Sequence, residues 1–253
     1  MLSYGFGYSA SIWIWQLRRL VNPVLVGRVA GAEGVGIVAL AVQIVTQLSF
    51  VASASWRLST AVLARLQTDL PRLTAAVGEG MRLQIAAVGV PLVAFAWVGP
   101  WIVPLLFGHA WGPVTLVYPF IALGGLANAA FNLHSSALYV RRHNGDVALF
   151  HTVHILLFAG SAWLLLPRVG LVGYGWAEVM AIASYALAHR ALALRVGAPP
   201  SRGALLLGAA FGLALFRDAL GWASVLGLLA LAAWPQTWRE VGAAWQAARG
   251  ARA

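Results

Sequence analysis

Residues Val114–Val140 read VTLVYPFIALGGLANAAFNLHSSALYV, a run of 27 residues without Asp, Glu, Lys or Arg. About 20 apolar residues in a helix cross the roughly 30 Å hydrocarbon layer of a bilayer, so this run predicts a transmembrane helix. The rest of the chain has the same character: 61% of its 253 residues are hydrophobic and 9% are charged, with a mean hydropathy of +0.80. So few charged residues cannot cover the surface of a water-soluble domain, which excludes a soluble enzyme.

Hydrophobic runs bounded by Gly, Pro or Arg predict an all-α, polytopic membrane helix bundle of about eight transmembrane helices. The predicted spans are Tyr4–Val26, Val35–Trp56, Leu83–Phe107, Val114–Val140, Val147–Pro167, Leu171–His189, Ala204–Phe216 and Ala219–Trp234. The last two are short for a bilayer and predict an additional tilted hairpin over residues 197–235. Two amphipathic segments, Ser59–Gly80 and a cytoplasmic tail over residues 236–253, are expected to lie in the headgroup layer.

The net charge of +10 comes from 17 arginines against seven acidic residues. The arginines stand singly or in pairs between hydrophobic runs, which favours lipid headgroups over nucleic acid as their partners. Alternate loops, with the tail, hold 12 arginines on one side of the predicted membrane and three on the other. The positive-inside bias therefore predicts that both termini are cytoplasmic.

Glu178 lies near the middle of the predicted span Leu171–His189, too deep for its carboxylate to reach water. A charge at this depth costs about 2.5–3.5 kcal/mol on insertion scales, so it usually faces a cavity or a partner. Tyr185 and His189 follow at helical spacing and share its face. Two interpretations stay open: a proton or cation site, and a buried acid hydrogen-bonded to a neighbouring helix.

Arg18 and Arg19 lie in the first predicted span, past its midpoint toward the outer side, with Gln16 nearby. A guanidinium donates two parallel hydrogen bonds to the oxygens of a phosphate, so an arginine that faces a cavity could bind a phosphorylated lipid. The alternative is that both side chains extend to the outer surface, helped by a helix break at Asn22–Pro23. Neighbouring residues point in different directions, so only one of the two is expected in a cavity.

Asn128 and Asn132 recur at helical spacing in the fourth span. They either line a hydrophilic path for sugar hydroxyls or form hydrogen bonds between helices. His151 and His154 are interpreted as interfacial polar residues rather than metal ligands, because no nearby acid or Cys completes a site.

The sequence carries no H-E-x-x-H motif, no Gly-rich phosphate loop and no plausible Ser/His/Asp arrangement. Its acidic residues are scattered singly, and it contains no Cys. We therefore expect no enzymatic activity, no metal and no cofactor.

Three short strings occur in a distinctive order: Leu25–Gly31 with Gly34–Gly36, Leu105–Pro113, and Leu166–Gly175. They resemble turns in the second half of the Wzx-like polysaccharide flippases of the multidrug/oligosaccharidyl-lipid/polysaccharide (MOP) exporter superfamily. The resemblance implies that residues 1–196 form a six-helix, C-terminal-type lobe of a two-lobed transporter.

By the same resemblance, the chain is expected to translocate a lipid-linked oligosaccharide, on an undecaprenyl-type carrier, across the bacterial inner membrane by alternating access. The resemblance implies that Arg18 or Arg19 binds the lipid phosphate; Gln16, Asn128 and Asn132, as polar residues within predicted spans, are further candidates for substrate binding. Glu178 matches no family motif, and its candidate role in ion coupling depends on its predicted burial alone.

The first lobe of such a transporter is absent from this sequence. The chain is therefore expected to be a fragment or split product whose partner is a missing N-terminal lobe; the alternative partner is a second copy of itself. Membrane lipids are further expected partners. Two other functions stay open: a cation-coupled drug exporter of the same superfamily, and a non-transporting membrane subunit that packs through Gly208 and Gly212.

Overall fold

A computed structural model describes residues 13–233, apart from the side chains of residues 51–58 and 231. The described residues contain helices and turns but no strand, which confirms the predicted all-α membrane bundle. The predicted tail over residues 236–253 and the start of the first predicted span lie outside the described residues.

The nine α-helices of eight or more residues in this part of the chain are numbered in order; a single turn, Arg217–Leu220, lies between the last two. They are α1 (Trp13–Leu48), α2 (Phe50–Arg65), α3 (Leu70–Phe107), α4 (Val114–Val140), α5 (Asn144–Val169), α6 (Leu171–Ile182), α7 (Tyr185–Arg195), α8 (Arg202–Leu215) and α9 (Leu226–Ala233). Helix α4 has the bounds that its hydrophobic run predicts. It packs against all the other helices except α9 and is therefore the centre of the bundle.

Helix α1 folds back on itself at Gly31. This residue has φ 65° and ψ −165°, a conformation that glycine adopts far more readily than other residues. Asn22 Nδ2 donates to the carbonyl oxygen of Val35 at 3.3 Å, across 13 residues. Those residues would be about 20 Å apart along a straight helix. The two arms of α1 therefore correspond to the first two predicted spans.

Five of the described helical stretches are long and apolar enough to cross a membrane, or six if one bent pair counts as a span. The number is lower than the predicted eight for two reasons. Helix α1 contains, as one folded-back run, the described part of the first predicted span and Val35–Leu48 of the second, whose remaining residues begin α2. The last two predicted spans form the pair Arg202–Leu215 and Arg217–Ala230, which is bent by 76°.

The prediction that Ser59–Gly80 forms one amphipathic helix on the membrane surface is wrong. It is divided between the end of α2 and the beginning of α3, with residues 66–69 between them. Leu63 and Leu73 on its apolar face are 2% and 0% exposed. The apolar face exists, but it packs against protein rather than into the headgroup layer.

One end of the bundle carries the arginine-rich loops. Arg141 Nη1 donates to the carbonyl oxygen of Gln67 at 3.0 Å, which joins the α4–α5 turn to the α2–α3 turn. Arg195 Nε donates to Asp146 Oδ2 at 3.1 Å, which joins the end of α7 to the start of α5. We call this the arginine-rich end.

The fold-back of α1 lies at the opposite end. A Cβ built on Gly34 would come within 3.2 Å of Leu171 Cδ2 at the start of α6. Loops that charge and hydropathy predict on opposite sides of a membrane therefore lie at opposite ends of the bundle.

Helix α6 approaches the backbone of α5 closely at Gly173. A Cβ at this position would lie 2.6 Å from the carbonyl carbon and oxygen of Leu165. Because backbone atoms cannot move aside, we expect Gly173→Ala to separate the helices and lower the stability by about 1–3 kcal/mol. Thermal melting in detergent measures the effect. Gly160→Ala is the matched control, since its added Cβ meets nothing within 4 Å. Equal melting temperatures for the two variants would contradict the close approach.

Candidate functional site

Arg18 of α1 and Glu178 of α6 form an ion pair across 160 residues of sequence. Arg18 Nη2 donates to both carboxylate oxygens of Glu178 at 2.5 Å. The side chain of Glu178 is 1% exposed and that of Arg18 is 30% exposed. A charge removed from water is strongly destabilising unless an opposite charge neutralises it, so each residue accounts for the other's position inside a span.

The pair lies well inside the bundle. Glu178 follows Leu171 by seven residues, which places it about 10 Å from that end of α6. Arg18 precedes Gly31 by 13 residues, or about 20 Å of helix. Both charges are therefore in the apolar part of the helices and not at their ends.

Four helices enclose the ion pair. The Arg18 Cζ atom lies 5.6 Å from the ring centroid of Trp15 on α1 and 5.3 Å from that of Phe158 on α5. On α4, a Cβ built on Gly124 would lie 3.0 Å from Glu178 Oε2. The missing side chain of Gly124 lets the carboxylate approach the central helix.

Arg18 has hydrogen-bonding capacity that the ion pair does not use. A guanidinium carries five N–H donors in a planar fork, and Glu178 is bound through Nη2 alone. The Nε atom is buried and has no hydrogen-bond partner. An unsatisfied buried donor costs about 1–3 kcal/mol, so an additional acceptor at this position would be stabilising.

The helix that carries Arg18 changes its geometry four residues later. Asn22–Val26 is a π-helical segment with Pro23 near its start. The predicted helix break at Asn22–Pro23 is thus a local widening of the helix. Such π-helical turns are rare and occur frequently at functional sites, and proline weakens the helix further because it removes a backbone donor.

The other residues that the sequence suggested for substrate binding are not part of the ion pair. Gln16 and Arg19 are exposed on α1. Asn128 is also exposed, and its Oδ1 accepts a hydrogen bond from Tyr185 Oη at 3.4 Å, so it does join two helices. Asn132 has a buried Oδ1 without a partner. Within residues 13–233, no group of three or more His, Asp or Glu side chains is placed to hold a metal ion.

The interpretation of His154 as an interfacial residue is wrong. Its side chain is 3% exposed, and its Nδ1 lies 2.9 Å from Ser184 Oγ. Ser184 occupies the break between α6 and α7, which separates Glu178 from Tyr185. The sequence shows a histidine near a span end but not which helix covers it. The ring of Trp15, on α1, lies 5.0 Å from the ring of His154.

These features define a polytopic, helical membrane protein with a polar site closed inside its bundle. Residues 1–116 match the model of a family described as "Polysaccharide biosynthesis protein". The amylovoran biosynthesis protein AmsL of Erwinia amylovora is 28% identical over 176 residues, which cover 68% of this chain and 45% of AmsL. The match thus spans about half of that relative. No solved structure matches this chain. The two matches support a role in polysaccharide biosynthesis.

Proposed function

We propose that this protein is a transporter rather than an enzyme, and that it moves a lipid-linked oligosaccharide across the bacterial inner membrane. The observation that carries the proposal is the buried Arg18–Glu178 pair, in which the guanidinium keeps an unpaired donor. The similarity to a polysaccharide biosynthesis family and to AmsL supports the substrate class.

Arg18 binds the phosphate of the lipid carrier in this mechanism. Phosphate oxygens accept hydrogen bonds from a guanidinium as a carboxylate does, so the substrate competes with Glu178 for the same donors. In the absence of substrate, Glu178 neutralises Arg18 and closes the site. When phosphate replaces it, the released carboxylate takes up a proton or a metal cation, because a bare charge in the bundle is costly. This exchange is the proposed ion-coupling role of Glu178.

The first arm of α1 opens and closes the site. It carries Trp15 and Arg18, and the π-helical segment Asn22–Val26 separates it from the fold-back at Gly31. Bending at this segment moves Arg18 relative to α6 without disturbing the packing around α4. The movement supplies alternating access, while the lipid tail stays in the bilayer.

The glycan follows the polar, exposed side of the same region. Gln16 and Arg19 on α1 and Asn128 on α4 are exposed although they belong to predicted spans. Polar side chains at such depths usually face a cavity or a partner rather than lipid. We assign these residues, with Asn132, to the path of the sugar hydroxyls.

We propose that the arginine-rich end faces the cytoplasm, with both termini on that side. The contacts Arg141–Gln67 and Arg195–Asp146 hold these loops together, which supports the orientation through the positive-inside rule. We further propose that this chain is the C-terminal-type lobe and that an N-terminal lobe, or a second copy, completes the cavity.

Depletion of the protein tests the proposed function. We expect lipid-linked oligosaccharide to accumulate on the cytoplasmic side of the inner membrane while surface polysaccharide is lost, as measured by lipid extraction and glycan staining. Re-expression of the wild-type chain is the control and should reverse both changes. Normal surface polysaccharide combined with increased drug sensitivity would contradict the proposal and indicate a drug exporter.

A further inference from the structure

The hydrogen bonds around His154 determine which of its ring nitrogens carries a proton. Ser184 has one hydroxyl hydrogen, and Ser184 Oγ donates it to the carbonyl oxygen of Ala181 at 2.7 Å. The contact of 2.9 Å between His154 Nδ1 and Ser184 Oγ must then have the imidazole as donor. In the neutral ring, the other nitrogen, Nε2, therefore carries a lone pair and can only accept.

The Nε2 atom of His154 is buried and has no hydrogen-bond partner. Aromatic rings surround the imidazole: the ring centroids of Trp15, Tyr185 and Phe150 lie 5.0, 5.6 and 6.0 Å from that of His154. Buried polar atoms in proteins are almost always paired, and an orphan calls for an explanation. A ligand that donates a hydrogen bond to Nε2 would satisfy this atom.

Trp15 connects this orphan acceptor to the orphan donor of Arg18. The indole lies 5.0 Å from the His154 ring and 5.6 Å from the Arg18 Cζ atom, and it is only partly buried. The guanidinium of Arg18 and the imidazole of His154 thus lie beside the same indole, and each has one buried nitrogen, Nε and Nε2 respectively, without a hydrogen-bond partner. One is a cationic donor and the other is a neutral acceptor.

To satisfy both Arg18 and His154, a ligand must contain a hydrogen-bond acceptor for the guanidinium and a hydrogen-bond donor for the imidazole. A phosphate dianion offers acceptor oxygens to Arg18 but only repels the lone pair of His154 Nε2. A phosphate ester with a hydroxyl or amide N–H on a neighbouring carbon satisfies both groups. The first sugar of a lipid-linked oligosaccharide, attached to its phosphate, has this chemistry.

We infer that His154 is a second ligand-binding residue of the Arg18–Glu178 site and selects a glycosyl phosphate over a phosphate that bears no sugar. The inference rests on the proposed function and deepens it. Trp15 covers His154 in the closed state and moves with the first arm of α1 when the site opens. The sugar hydroxyl then donates to Nε2 while the phosphate binds Arg18.

Calorimetric titration of the purified full chain in detergent tests the inference with two probes, glucose 1-phosphate and methyl phosphate. Both are phosphate monoesters of the same charge, and only the first has a hydroxyl next to the phosphate. We expect the wild type to bind glucose 1-phosphate about tenfold more tightly, which is the effect of one hydrogen bond. His154→Leu should abolish this preference and leave the affinity for methyl phosphate unchanged. His154→Gln, whose amide oxygen accepts a hydrogen bond, should restore part of the preference.

His151→Leu is the matched control, because His151 also lies against Trp15, at 4.8 Å between ring centroids, but is only half-buried. It should retain the preference. An unchanged preference in His154→Leu would overturn the inference, as would equal wild-type affinities for the two esters. A different result would contradict the proposed function itself: binding of both esters by Arg18→Ala as tightly as by the wild type.

Discussion

Arg18→Met is expected to abolish polysaccharide export and to destabilise the protein by about 3 kcal/mol, toward the lower end of the cost of breaking a buried ion pair. The cost arises because Glu178, 1% exposed, would keep its charge inside the bundle without a partner. The partial exposure of Arg18 keeps the value from being larger. Thermal melting in detergent and staining of surface polysaccharide measure the two effects.

The double variant Arg18→Met/Glu178→Gln separates stability from function. It removes both charges, so its melting temperature should return most of the way to the wild-type value while export stays absent. Arg19→Met is the matched control, since Arg19 is the neighbouring arginine but is exposed; its stability should be unchanged. If the single variant Arg18→Met melted like the wild type, the ion pair would be absent from the folded protein.

Glu178→Gln alone is expected to raise the affinity for methyl phosphate about tenfold and to lower export strongly. Glutamine has the shape of glutamate without its charge, so Arg18 is no longer occupied by a carboxylate and binds phosphate more readily. Export falls because no group can then displace the substrate or take up the coupling ion. Titration calorimetry and surface polysaccharide are the two measurements.

Glu178→Asp serves as the control for this variant, because it keeps the charge that competes with phosphate. It should retain weak phosphate binding. Higher phosphate affinity together with wild-type export in Glu178→Gln would show that Glu178 has no part in release. Lower phosphate affinity in this variant would contradict competition between Glu178 and the substrate.

The two central residues were separately predictable, but their pairing was not. Arg18 and Glu178 stand out in the sequence because a charge within an apolar run is costly wherever it lies. Their contact depends on how α1 and α6 pack, and 160 residues separate them. Of the two interpretations left open for Glu178, the structure shows a buried acid bound to a neighbouring helix; its coupling role stays a prediction. Likewise, the sequence makes Arg18 and Arg19 equally good candidates for phosphate binding, and only the packing of the helices shows which of them contacts Glu178.

His154 and the segment Ser59–Gly80 show a second kind of limit. His154 has the polarity of a residue at the membrane surface, and Ser59–Gly80 has the periodicity of a helix there. Periodicity identifies the apolar face of a helix but not what covers that face. In the structure, Leu63, Leu73 and His154 are covered by other helices of the bundle. Protein and lipid tails are both apolar, so hydropathy cannot distinguish them.

Hydropathy and charge were sufficient to predict that this protein is a helical membrane bundle, where its central helix begins and ends, and which loops share an end. These properties are local: they follow from the transfer of apolar residues out of water and from the distribution of arginine between loops. The packing of the helices was needed to show that Arg18 contacts Glu178, that Gly124 and Gly173 allow close helix approach, and that His154 lies against Trp15. Those contacts depend on the geometry of packed helices. They join side chains that are far apart in the sequence, and their spacing does not indicate that they meet.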